Sequence, residues 1–215
     1  MSEINLLKSL PKPKRSISER SKKKSKKIIE ISRKYGKLYF DGPREYGYGG
    51  YHYDGRWKSV ARDIVKIYKL KKKHKVLDIG CGKGFLVKDL VDLGIDAYGL
   101  DISDYGIKNS PNDIIGRLHK GTAEKLIFKD NSFDFVFSLN TIHNLTKSKC
   151  LIALKEIERV SKGKSFVQVD SYKNLYQKKK FLNWVLTAKY HDYPKNWLKL
   201  FKKAKYSGDW YWTIV

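Results

Sequence analysis

The sequence predicts an α/β chain built on a mostly parallel, doubly wound sheet with helices on both faces, and three stretches predict it. The first is Val76-Leu77-Asp78-Ile79-Gly80-Cys81-Gly82-Lys83-Gly84-Phe85-Leu86-Val87, an apolar run that enters a glycine-rich turn. A helical pattern (Phe85, Leu86, Leu90, Val91) follows at once, so the stretch reads strand, tight loop, helix. The second is Asp96-Ala97-Tyr98-Gly99-Leu100-Asp101, a short strand ending in an acid 21 residues beyond Gly80. That spacing is that of neighbouring parallel strands joined by one helix. In the third, a helix marked by Leu151, Leu154, Ile157 and Val160 leads into a strand, Ser165-Phe166-Val167-Gln168-Val169-Asp170.

The loop between Ile79 and Phe85 suits a nucleotide-like ligand. Glycine has no Cβ, so the backbone can turn sharply and approach the ligand, while the unpaired N–H groups of the next helix face it. Spacing selects the ligand. A dinucleotide fingerprint would place its third glycine at 85, where this chain has Phe85; here the glycines fall at 80, 82 and 84, with Asp78 just before them. That argues against NAD. Asp101 would stand at the carboxyl end of the neighbouring strand, where a carboxylate can accept from both hydroxyls of a ribose.

The D-x-G-x-G-x-G pattern after a strand resembles the first motif of the class I S-adenosylmethionine-dependent methyltransferases, a Rossmann-like family. Gly121-Thr122-Ala123-Glu124-Lys125-Leu126-Ile127-Phe128, followed by Asp130 to Ser138, resembles that family's third and fourth segments, a loop beside the adenine and then the fourth strand. Thr122 stands at the usual Asp position and Ile127 at the usual Pro, which leaves the Ala123 backbone N–H to meet the ring. The resemblance implies S-adenosyl-L-methionine as cofactor. It assigns Asp78, Gly80, Cys81, Gly82, Gly84, Asp101, Ile102, Thr122, Ala123 and Asn140 to the cofactor.

A chain of 215 residues sustains one core of ordinary size. No apolar run reaches the roughly 18 residues that span a bilayer, and the first thirty residues are charged, so the chain is expected to be soluble and cytoplasmic. Its two cysteines, Cys81 and Cys150, belong to no C-x-x-C or Cys/His cluster, so neither disulfide nor bound metal is expected. The net charge is +24, and residues 1–40 hold 13 Lys or Arg against 3 acids. Such an excess can serve a nucleic-acid partner through counterion release. However, Lys outnumbers Arg 38 to 8, whereas bidentate phosphate contacts favour Arg. Nucleic acid is therefore the alternative partner and not the favoured one; oligomeric state is not legible.

Residues 1–26 read as a basic, disordered tail, with Pro11-Lys12-Pro13 breaking any helix and a Ser/Lys run from Ser16 to Lys27. Residues 27–59 read as a cap. Ile28, Ile31, Tyr35 and Leu38 give helical spacing, and Tyr46-Gly47-Tyr48-Gly49-Gly50-Tyr51-His52-Tyr53-Asp54-Gly55-Arg56-Trp57 forms a glycine/tyrosine-rich lid over the pocket. Tyr51 and Tyr53 are expected to line the methyl-transfer site. Arg56 is expected to pair with the carboxylate of the cofactor, as some small-molecule members of the family do with an Arg comparably far upstream. Residues 60–215 form the cofactor-binding domain.

After the fourth strand, Leu139-Asn140-Thr141-Ile142-His143-Asn144-Leu145 lies where strand ends line the ligand crevice. Asn140 and His143 are the catalytic candidates there, His143 as a base. Farther on, Phe181, Trp184, Val185 and Ala188 mark a helix, Trp197, Leu198 and Phe201 another, and Trp210 to Val215 a final strand. The family closes its sheet with an antiparallel pair, of which only this strand is visible. The transfer is an in-line displacement, for which the protein aligns the partners and excludes water. The favoured acceptor is an amine or hydroxyl of a small polar metabolite in an enclosed pocket.

Overall fold

The computed structural model describes residues 1–11 and 16–215. In chain order its helices are α1 (Ile17–Lys23), α2 (Lys26–Ser32), α3 (Lys37–Asp41), α4 (Lys58–Ile67), α5 (Phe85–Asp92), α6 (Asp104–Lys108), α7 (Lys147–Val160), α8 (Leu175–Trp184) and α9 (Pro194–Ala204). The strands are β1 (Lys75–Ile79), β2 (Asp96–Asp101), β3 (Leu118–Lys120), β4 (Phe135–Leu139), β5 (Ser165–Asp170) and β6 (Asp209–Thr213).

The central strands explain the architecture. β1, β4 and β5 are nearly continuous apolar runs, buried on both faces, which is the pattern of parallel strands covered by helices on either side. The strands assemble in the order β3-β2-β1-β4-β5-β6, and every pairing is parallel. On one face α4 and α5 bring Val60, Ile64, Leu86 and Leu90 onto Val76, Phe135 and Phe166. On the other, α7 and α9 bring Leu154, Ile157, Trp197 and Phe201 onto Leu77, Val136, Val167 and Trp212. Trp197 and Phe201 are fully buried; truncating either to Ala would cost about 3–5 kcal/mol. The order of strands reverses between β1 and β4, and the crevice outside their carboxyl ends is where this topology admits a ligand.

Three expectations change, and one strand was not foreseen. The cap helix expected over 27–39 is two helices, because Tyr35 takes a positive φ of 49° and Gly36 begins α3 in an extended conformation. β3, for which the sequence has no long apolar run, is a three-residue edge strand. Val185 and Ala188 lie beyond α8, which stops at Trp184 as Val185 turns extended. The last strand, β6, runs parallel to β5 from Asp209 to Thr213 instead of contributing to an antiparallel pair.

The basic N-terminus is also more ordered than its composition implies. Ile4 N–H donates to the Trp210 carbonyl, Trp210 N–H donates to the Ser2 carbonyl, and Leu6 is fully buried against the α4 side of the sheet. Its apolar residues Ile4, Leu6, Leu7 and Leu10 supply the burial that the charge count obscures. In α1, Arg20 donates to the carbonyls of Arg44 and Gly47 and lies 3.9 Å over the Trp184 ring. The break expected at Pro11-Lys12-Pro13 falls largely outside the described residues, and among those described no helix is long and apolar enough to cross a membrane.

Candidate functional site

The carboxyl ends of β1, β2, β4 and β5 open into a cavity of about 1030 Å³ beneath the cap. Its floor is the turn after β1. Gly80 has φ +86°, and a Cβ there would collide with the Thr141 side chain, so only glycine admits both the turn and the close approach of β4's end. Gly82 and Cys81 continue the floor, while the Cys81 sulfur packs under β2 against Gly99.

Asp101 ends β2 and reaches back across this turn. Its Oδ2 accepts from Gly82 N–H at 2.7 Å and its Oδ1 from Ser103 N–H at 2.8 Å. Asp78 lies beside it at the end of β1, 5% exposed. Burial pushes the carboxyl of Asp78 well above the usual range, and the Asp101 charge adds to this; burial also raises Asp101 against the pull of its backbone donors. Neither acid has a Lys or Arg ion pair among the described residues. Two buried acids facing a cavity call for hydrogen-bond donors on a ligand. Ile102, half exposed, and Ala123 add apolar surface beside Thr122 at the same end.

The cap closes over this floor through Asp41. Both of its oxygens accept from Lys83 Nζ at 2.8 and 2.7 Å, one accepts from Tyr105 hydroxyl at 2.7 Å, and the other from Tyr51 N–H at 3.1 Å. Burial would raise the Asp41 carboxyl, yet these donors hold it below its ordinary value. Tyr51 thereby sits in the cavity wall, stacked at 4.4 Å on Tyr48, and burial keeps its hydroxyl protonated by pushing it well above the usual phenol range.

At the other end stand the termini of β4 and β5. Asn140 adopts φ +53° and lines the cavity. A relay orients it: Gln168 Nε2 donates to Thr213 Oγ1 at 2.9 Å, and Thr213 Oγ1 donates to Asn140 Oδ1 at 2.6 Å. The Asn140 Nδ2 is left without a protein acceptor among the described residues.

Four assignments made from sequence need correction. His143 is 3% exposed, its Nδ1 accepts from Asp170 N–H at 2.9 Å, and its Nε2 lies 3.3 Å from Asp170 Oδ2. With Nδ1 accepting, the ring proton resides on Nε2, so no lone pair is open for a base. Burial lowers its pKa and keeps it neutral. Its carbonyl also anchors Lys189 and Tyr190 N–H, each at 3.0 Å. Tyr53 lies outside the cavity: its hydroxyl donates to Asp89 on α5, and its ring meets Phe85 edge-on at 5.7 Å. Gly84 does not line the cavity; a Cβ there would stand 2.7 Å from Leu118, so the residue serves the packing of α5 on β3. Arg56 does line the cavity, but its fork is taken by Asp54, with Nε at 2.9 and 2.8 Å from the two oxygens, and this holds Asp54 down at about 2.

Tyr39, Thr213 and Asp170 line the cavity without having been singled out for it, beside Tyr48 of the expected lid and Trp184 of the 171–196 stretch expected on the substrate side. Of the three, Asp170 carried a usable signal, an acid ending a strand on the crevice side; Thr213 arrives through packing that no local pattern encodes.

The profile described as a methyltransferase domain matches residues 77–168, the span from the strand before the glycine turn to the strand before Asp170. Over that span the chain resembles the methyltransferase domain of the class I S-adenosylmethionine-dependent enzymes. The chain is 30% identical over 155 residues to a sterol 4-C-methyltransferase of Caenorhabditis elegans, a match covering 66% of this chain and 44% of that protein. It is 31% identical over 132 residues to a demethylmenaquinone methyltransferase of Geobacillus stearothermophilus, covering 52% of this chain and 54% of that one. Among solved structures it resembles the YcgJ protein of Bacillus subtilis, with a TM-score of 0.56 at 20% identity over 67% of this chain and 66% of that one. The chain thus spans about half the length of these two curated relatives, and the likeness in structure concerns the fold.

Proposed function

We propose that this protein transfers the methyl group of S-adenosylmethionine to an amine or hydroxyl of a small polar metabolite. The observation that carries this reading is one continuous cavity running from Asp78 and Asp101 to Asn140 and Asp170 beneath a latched cap. The cofactor supplies an electrophilic methyl on a sulfonium. Asp101 accepts from the ribose hydroxyls, Asp78 faces the methionine end, and the Ala123 N–H and the Ile102 side chain meet the adenine. Tyr51, Tyr48 and the rest of the cap exclude water and hold the reactants in line, which is where most of the rate gain of such a displacement arises. Asn140 offers its Nδ2 hydrogens to the bound partners.

Calorimetry with S-adenosylhomocysteine and with NAD tests the cofactor: tight binding of the first alone is expected, and binding of NAD alone would overturn it. Methyl transfer from labelled S-adenosylmethionine into a metabolite extract passed through a small-pore filter tests the acceptor. Label entering RNA instead, with a rate falling steeply in salt, would favour a macromolecular substrate carried by the basic surface. The sterol enzyme among the relatives favours a second reading, carbon methylation of a large apolar acceptor, and label extracted into organic solvent would support it.

A further inference from the structure

Four carboxylates line the cavity, and three are accounted for. Asp78 and Asp101 lie at the glycine turn, and Glu124 is paired with Lys149 Nζ at 2.9 Å. The fourth, Asp170, ends β5, two strands away from β1 and so about 10 Å across the sheet. Its side chain is 15% exposed, and its one ionisable contact within ion-pair distance, among the described residues, is the neutral ring of His143. Gln168 and Asp170 share one face of β5, and both line the cavity. His143 fixes the backbone of Asp170 from below, and Trp197 Nε1 donates to its carbonyl at 3.2 Å. The geometry is therefore the reverse of the one expected: the imidazole is the support, and the carboxylate is the group presented to the acceptor.

We propose that Asp170 is a catalytic residue that binds the acceptor as an amine, which makes this an N-methyltransferase; the proposal rests on the methyltransferase reading above. A half-buried carboxylate without a cationic partner is stabilised by an N–H donor and by positive charge. The chemistry separates amine from alcohol. An acceptor that arrives as an ammonium first loses one proton to solvent; the free amine then attacks through its nitrogen lone pair, the new nitrogen–carbon bond forms as the carbon–sulfur bond breaks, and the electron pair of the broken bond stays on sulfur. Nitrogen keeps its protons in that step, so the positive charge passes from sulfur to nitrogen, beside Asp170. A fixed carboxylate at the point where charge develops lowers the barrier. An alcohol must instead surrender a proton as it attacks; His143, its acceptor nitrogen filled by Asp170 N–H, cannot take it, and the carboxylate of Asp170 is a far weaker base than the alkoxide it would have to free.

The test uses the full chain saturated with S-adenosylhomocysteine and a panel of matched probes: benzylamine, phenethylamine, tyramine and ethanolamine, with benzyl alcohol, phenethyl alcohol, tyrosol and ethylene glycol. Calorimetry and ligand-observed NMR read binding, and labelled S-adenosylmethionine reads transfer. Amines are expected to bind and accept methyl where their alcohol counterparts do not. Asp170→Asn, which leaves the backbone bond to His143 in place, is expected to weaken amine binding about ten- to a hundredfold, the loss of a charge-assisted bond. Affinity for S-adenosylhomocysteine and the melting temperature should stay at the wild-type values, separating this loss from misfolding. Equal handling of amines and alcohols, wild-type amine affinity in Asp170→Asn, or no amine bound by the wild-type complex would each overturn the proposal. Failure to bind S-adenosylhomocysteine at all would be a different result, bringing down the methyltransferase reading beneath it.

Discussion

At Asp101 each carboxylate oxygen takes one backbone N–H and retains a lone pair toward the cavity. Asp101→Asn keeps the shape but removes the charge and replaces one acceptor with a donor. It is expected to raise the dissociation constant for S-adenosylhomocysteine about ten- to a hundredfold by calorimetry. His143 gives a pH prediction. Its folded pKa lies below 6.5 because burial opposes the charge, so the folded chain binds fewer protons than the unfolded chain. Stability is then full above 6.5 and declines as pH falls toward the folded value. His191, lowered by burial as well, adds to the same slope. Melting temperatures from pH 8 to 5 should show a shallower decline for His143→Gln than for the wild type; an identical slope would mean that the ring is not held neutral.

Among the elements, the carboxylate of Asp41 ties the cap to Lys83 of the glycine turn. Asp41→Asn would leave Lys83, whose side chain is 8% exposed, without its counter-charge. A loss of roughly 2–3 kcal/mol in chemical denaturation is expected, together with faster proteolysis after Arg44 that S-adenosylhomocysteine slows. The folded Asp41 pKa is depressed, so this contribution is present above the ordinary carboxylate value of 3.8 and disappears as pH falls through the lower folded one. β1, the glycine turn, α5, β2 and β5 were legible because their signals are local: apolar runs, punctuating glycines and acids at strand ends. The parallel β6 was not, since Trp210 and Trp212 fit either direction and only the two-helix crossover through α8 and α9 decides. Tyr53 misled for a related reason: its neighbour Tyr51 faces the cavity, and the glycines that let the chain turn between the two sides give no direction.

For the molecule as a whole, the charge of +24 acts on stability before it acts on any partner. Among the described residues twelve cation–acid pairs distribute the acids over the chain, yet the 46 Lys and Arg outnumber the 22 acids by more than two to one. Self-repulsion of this size destabilises the compact state and is screened by salt. Raising the ionic strength from about 0.05 to 0.5 M is expected to raise the melting temperature. Methyl transfer to a small amine should change little over the same range, whereas a phosphate-bearing macromolecule would be lost.

The strip of chain from Ser2 to Ile4, hydrogen-bonded along β6 at Trp210, also governs how separate copies behave. A sheet of parallel strands ends in a row of unsatisfied amides and carbonyls, and β6 carries tryptophans that would make such a margin adhesive. Residues 2–10 shield it. A variant lacking them is expected to keep its secondary structure by circular dichroism but to self-associate in a concentration-dependent way in sedimentation velocity, with Lys substituted for Trp210 restoring the monodisperse boundary.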